Sequence, residues 1–140
     1  FVAFTKDKQL PVDGWKSLLT YSVDYLRGTL VVEKNLIEVT NATPVDALEQ
    51  AFRRLDIGRT DVVVDGRFSG QIIAQKLGLK GMFFESPLIS MPGYHYINMK
   101  NKKMVEPLTN ILQKMKAEGR VQEIKEQVAR EFLNGQTEKQ

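Results

Sequence analysis

The chain has 140 residues, 42% of them hydrophobic and 26% charged, the mixture of one globular domain with a real core. Its net charge of +3 is scattered, so nucleic acid is not an expected partner, and there is no cysteine for a disulfide or a thiolate metal site. No stretch is long and apolar enough to span a bilayer. The lack of cysteine fits an oxidising compartment, and Phe1 in place of an initiating methionine reads as a processed or cut chain with any targeting segment upstream.

Phe1 to Thr5 alternates and predicts a short strand, followed by a polar connector from Lys6 to Gly14. Gly14 to Leu19 reads as a short helix that docks Trp15 and Leu18. Tyr21 to Tyr25 alternates as a strand, and Arg27-Gly28-Thr29 follows as a turn. Thr29 to Leu36 is expected to be a short helix capped by Thr29, with Glu33 supporting its first turn. Ile37-Glu38-Val39 is read as a brief strand ending at Thr40-Asn41-Ala42.

The stretch TPVDALEQAFRRLDIGRTDVVVD, Thr43 to Asp65, organises the middle of the chain. Thr43 suits an N-cap, Pro44 a first helical position and Asp46 the first turn. Leu48, Ala51, Phe52 and Leu55 share one helical face, and Gly58 stops the helix. Val62-Val63-Val64 is continuous and β-branched, the habit of a strand buried on both faces, and Asp65 stands at its exit. Gly66 to Leu77 predicts another helix, with Ile72, Ile73 and Leu77 inward and Gly78 as its stop. Met82-Phe83-Phe84 and Tyr94 to Met99 read as strands. The alternation from Tyr21 to Phe84 predicts an α/β fold, an open parallel-type sheet with helices on both faces.

Two tail helices follow. Met104, Val105, Leu108, Ile111, Leu112 and Met115 form one apolar stripe ending at Gly119, with Pro107 in the first turn. Val121, Ile124, Val128 and Phe132 form a second.

In open parallel sheets ligands bind beyond the carboxyl ends of the strands. Arg27-Gly28-Thr29, Thr40-Asn41 and Asp65 are the polar spots expected there. Gly28 and Thr29 at a helix start can offer backbone N–H groups and a hydroxyl to an anion, and Asp65 can accept from an ammonium. Donors on one side and a carboxylate on the other suit a zwitterion such as an amino acid. Each spot also has a plainer reading, as a cap or a solvated turn. His95 is the only histidine and has no metal partners nearby in sequence. Glu85 and Glu106 are not paired for acid–base work, and neither a nucleophile–base set nor a glycine-rich nucleotide fingerprint is visible, so no catalysis, metal or cofactor is expected.

RGT, then TPVDALEQAFRRLDIGRTDVVVD, then KNKKMVEPLTNILQKMKAEG, in that order and spacing, resembles the bacterial extracellular solute-binding proteins of the amino-acid type, family 3. The resemblance covers nearly the whole chain. It implies two α/β lobes joined by crossing strands, with the ligand clamped between them. Residues 1–12 would then be a hinge strand and connector, 13–93 the ligand-binding second lobe, and 94–140 a return strand with helices belonging to a first lobe whose bulk is absent. The arginine that holds the ligand carboxylate in amino-acid binders of the family is absent with it. Gly28 and Thr29 match the family's anion-binding helix start and Asp65 its ammonium-binding aspartate, while Leu30 stands where many members carry a second hydroxyl. The implied role is delivery of an amino-acid-like solute to an ABC-type membrane permease from a periplasmic or extracellular location. The same scaffold also serves as the sensor domain of signalling receptors and, in dehydratases and peptidoglycan-lyase regulators, in enzymes. The apolar tail stripes are too large to leave wet, and crossing strands exchange readily between copies, so a homodimer through the tail helices is expected.

Overall fold

Val62, Val63 and Val64 turn alternately to the two faces of a sheet, and all three are buried. The computed structural model describes residues 1–6, 10–82 and 87–134. It divides the chain into two units, Phe1–Ser90 and Met91–Gln140.

The first unit holds four strands, β1 (Val2–Thr5), β2 (Val23–Leu26), β3 (Ala42–Val45) and β4 (Val62–Asp65), in the order β1-β4-β2-β3. β2 is parallel to both β3 and β4, while β1 runs antiparallel to β4 with Val2 opposite Asp65. The sheet is therefore mixed at one edge. On one face Ala3, Val23, Val62 and Val64 meet Leu18, from a 3-10 helix at Trp15–Thr20, and Val32 of α1 (Leu30–Asn35). On the other, Val2, Phe4, Val45 and Val63 meet Ala51, Phe52 and Leu55 of α2 (Leu48–Asp56) and Ala74 of α3 (Arg67–Lys76). Helices thus cover both faces, as the alternation predicts. Each fully buried side chain of this kind contributes about 1.5–3 kcal/mol of transfer free energy. Phe4 and Phe52 add an edge-to-face contact with ring centroids 5.1 Å apart.

Two glycines make this packing possible. Gly58 adopts φ 70° and ends α2, donating to the Leu55 carbonyl while Arg59 donates back to that of Arg54. Gly70 is buried in α3 against Phe4, where a Cβ would overlap the phenylalanine ring.

The structure corrects three expectations. The second parallel strand is Ala42–Val45, and Ile37 to Asn41 are turn and irregular backbone after α1. Thr43 and Pro44 therefore lie in β3, and α2 begins at Leu48. Thr-Pro fits a helix start, but proline is equally at home on an edge strand, where few ladder bonds are lost. Tyr94 to Asn98 form no strand, and Tyr96 is 93% exposed. An extended segment needs a neighbour's backbone, and no described strand pairs with it. Of the strand expected at Met82–Phe84, Met82 is irregular, and Phe83 and Phe84 lie outside the described residues.

The second unit contains a 3-10 helix (Met99–Met104), α4 (Val105–Ala117) and α5 (Arg120–Asn134), with Gly119 at φ 75° between the last two. Pro107 sits in the first turn of α4, where its missing N–H costs nothing. No described side chain of α4 is fully buried, and Met104, Val105, Leu108, Ile111 and Ile124 are exposed.

Candidate functional site

β2 and β4 are neighbours, and their chains leave the carboxyl edge in opposite directions. From β2 the backbone passes through Arg27, Gly28 and Thr29 into α1, whose Val32 joins the core on one face. From β4 it passes through Asp65 and Gly66 into α3, whose Ala74 joins the core on the other. This divergence between adjacent parallel strands is a topological switch point, the place where open α/β sheets generally bind their ligands. Gly28, Thr29 and Asp65 stand at that edge on the two flanking strands.

Gly28 turns the chain with φ 83°, a conformation that side-chain-bearing residues rarely adopt. Its N–H donates to Glu33 Oε1 at 2.8 Å, so the carboxylate of α1 already rests on one backbone donor of the turn. The Thr29 carbonyl accepts from Val32 and Glu33. The Thr29 hydroxyl makes no capping hydrogen bond, although its backbone caps the helix. Arg27 donates from its backbone N–H to Val45 and from Nε to Asp46 Oδ1 at 2.7 Å, an exposed pair that bridges the ends of β2 and β3. Asp46 thus serves Arg27 from the loop before α2 and does not lie in a helical first turn.

Asp65 is only 7% exposed. Pairing alternation directs it to the face of Val63, where Ser69 Oγ of α3 donates to Oδ2 at 2.5 Å. Burial pushes its carboxyl above the ordinary aspartate value, opposed by the Ser69 hydroxyl and the Gly66 N–H. It also holds the first turn of α3, so its plainer reading as a structural acceptor coexists with the ligand reading. Thr40 lies elsewhere. With the strand at Ala42–Val45, Thr40 precedes β3, and the adjacent Asn41 carbonyl accepts from Val23 at the amino ends of the strands. The carboxyl-edge grouping expected of Thr40 is therefore corrected, because the strand begins after it.

The structure adds a carboxylate that the sequence reading passed over. Asp24 in β2 is 1% exposed, with Arg54 Nε of α2 2.7 Å from Oδ2. Burial raises its pKa, and Arg54 and the Thr60 hydroxyl oppose the rise. The signal was present: a strand covered on both faces puts an alternating acid in the core, where it needs a cation from the covering helix. Asp24 ties α2 to the sheet and lies two residues before the end of β2. His95 is exposed, and among the described residues no group of three or more histidines and acids is placed to hold a metal ion.

The fold this geometry defines is that of a lobe of the solute-binding proteins of the amino-acid type. No protein-family model matches the chain. An uncharacterised protein of Shewanella oneidensis is 30% identical over 138 residues, 94% of this chain and 52% of the relative, so the chain spans about half the length of the relative it matches. Among solved structures, the L-cystine solute receptor of Neisseria gonorrhoeae in its unliganded open conformation superposes with a TM-score of 0.67 at 17% identity, over 90% of this chain and 54% of that one. A histidine kinase sensor domain with similarity to periplasmic binding proteins gives 0.66 at 17% identity, over 90% and 57%. Domain 2 of TmArgBP gives 0.53 at 22% identity, covering 64% of this chain and 98% of that domain. These likenesses establish the fold. The neighbours are binding proteins or domains rather than enzymes, and among the described residues no helix is long and apolar enough to cross a membrane.

Proposed function

We propose that the chain is the second lobe, with C-terminal helices, of an extracytoplasmic solute-binding protein of family 3, which binds an amino acid or related zwitterion without catalysis and passes it to an ABC-type permease. The observation that carries this reading is the switch point, with the Gly28–Thr29 turn at the start of α1 on one flank and the Asp65 carboxylate on the other. Arg27 lies beside that turn and is held by Asp46. Residues 1–12 and the stretch after Tyr94 would connect to a first lobe that supplies the opposing wall. A sensor domain of a signalling receptor is the second reading, supported by the likeness to the kinase sensor. We also propose that copies of the chain associate through the apolar stripes of α4 and α5.

Mass spectrometry of small molecules that copurify with the full chain, followed by calorimetric titration of the one identified, tests the ligand reading. Asp65→Ala should weaken its binding by about 2–5 kcal/mol, the loss expected when one partner of a buried charge pair is removed. Unchanged affinity would reduce Asp65 to its hydrogen bonds with Ser69 and Gly66.

A further inference from the structure

The residue after Asp65 is a glycine, and its backbone does not ask for one. Gly66 has φ −58° and ψ 135°, a conformation open to any residue. What the glycine leaves is space. A Cβ there would stand 2.7 Å from Ser69 Oγ, closer than real Cβ atoms come to a neighbour. Through that space the Ser69 hydroxyl donates to Asp65 Oδ2 at 2.5 Å, with the Gly66 carbonyl at 3.1 Å as its longer alternative. Asp24, another buried carboxylate, is set against the Arg54 guanidinium. The groups that favour the charge of Asp65 are, in falling order, the Ser69 hydroxyl, the Gly66 N–H and the Phe1 ammonium at the start of β1. The two strongest are neutral. They orient a carboxylate without cancelling its charge, which stays available to a cation.

We propose that Gly66 and Ser69 are positioning residues for the ligand-binding carboxylate, with Ser69 fixing Asp65 Oδ2 through the space that Gly66 leaves. The proposal rests on the amino-acid reading above and adds the two residues on which its ammonium contact depends. Loss of the hydroxyl leaves burial less opposed, so the Asp65 carboxyl holds its proton to higher pH. A protonated carboxyl is neutral and gives up the charge that an ammonium needs. Gly66→Ala reaches the same end by another route. Its backbone fits, and its methyl turns the Ser69 hydroxyl away from Asp65.

The test follows two readouts in the full chain, for the parent, Ser69→Ala, Gly66→Ala and Ser69→Thr. Carbon NMR titration of the Asp65 carboxyl should give a higher midpoint in both alanine variants and the parent's midpoint in Ser69→Thr, which keeps the hydroxyl. The thermal upshift produced by an equimolar mixture of the standard amino acids measures ligand binding. On acidification that upshift should fade at a higher pH in both alanine variants than in the parent. Near neutral pH they should need about tenfold more of the mixture for the same upshift. Loss of a helix cap alone lowers the melting temperature without the mixture, and moves neither the carboxyl midpoint nor the pH at which binding fades. An unchanged midpoint in both alanine variants, or an unchanged pH profile of binding, overturns the proposal and leaves the amino-acid reading intact. No upshift of the parent overturns that reading, and this proposal with it.

Discussion

In the sheet unit Phe4, Phe52, Leu55 and Val63 are buried, while in the helical unit Leu108, Ile111 and Ile124, no less apolar, are exposed. The sheet unit offers each helix a wide apolar face of β-branched residues on which to close. α4 and α5 have amphipathic stripes of the right period and pack on one another, but two helices enclose little surface. Period and propensity suffice to form a helix, whereas burial depends on what stands opposite.

The sharpest way to break the comparison is to truncate one apolar side chain in each unit. Phe52→Ala should cost about 3–5 kcal/mol, because it opens a cavity under Phe4 in a closed core. Ile111→Ala in an isolated chain should change stability by no more than about 0.5 kcal/mol, as surface changes do. Urea unfolding of both variants checks this. If copies pair through these helices, light scattering should give about twice the 16.0 kDa chain mass, and Ile111→Ala should then shift the association. A persistent monomer with a large cost for Ile111→Ala would mean that the stripe is covered within the chain.

A smaller effect comes from the contact of α3 with β1. Gly70→Ala gains helix propensity of about 1 kcal/mol. The added methyl, however, would meet the ring of Phe4, itself fully buried and unable to swing away without disturbing Phe52. Overpacking of this kind costs about 1–3 kcal/mol. Net destabilisation in thermal unfolding is therefore expected, and the double variant Gly70→Ala with Phe4→Leu should recover part of it. A stabilised single variant would show that α3 sits more loosely on the sheet than its buried glycine implies.

The parts legible in the sequence are those where local chemistry and tertiary need agree. The Leu48–Leu55 face, the Gly58 stop, the triple valine and both tail helices carried their signals within a few residues. Ile37–Val39 and Thr43–Pro44 misled because three β-branched or cap-forming residues satisfy two local descriptions, and only pairing against Val23–Leu26 selects between them. Thr40 was misplaced with the strand. Gly28 and Asp65 were legible as residues that leave strands, but the switch point beside them depends on strand order, which no local pattern encodes. Asp24 and its partner Arg54 were hidden for the same reason, since the pair joins residues 30 positions apart in the chain.

The mildest effect is a pH dependence confined to the sheet unit. Burial raises the Asp65 pKa above the ordinary 3.8, so the folded state prefers the neutral carboxyl. The sign follows from linkage: below 3.8 the group is protonated in both states, and between 3.8 and its folded value only the folded state holds the proton. Its contribution is therefore fully present in acid and is lost as pH rises through the folded pKa. Asp24 is shifted in the same direction, so the intact protein mixes the two responses. Asp65→Asn separates them, because its amide oxygen can still accept from Ser69 but carries no charge at any pH. Without ligand, the variant should be more stable than the parent at pH 7, and the difference should fade as pH falls toward 3.8. Chemical unfolding at a series of pH values checks this. A difference that persists unchanged into acid would mean that the asparagine acts through packing, and that the carboxylate of Asp65 is already well solvated.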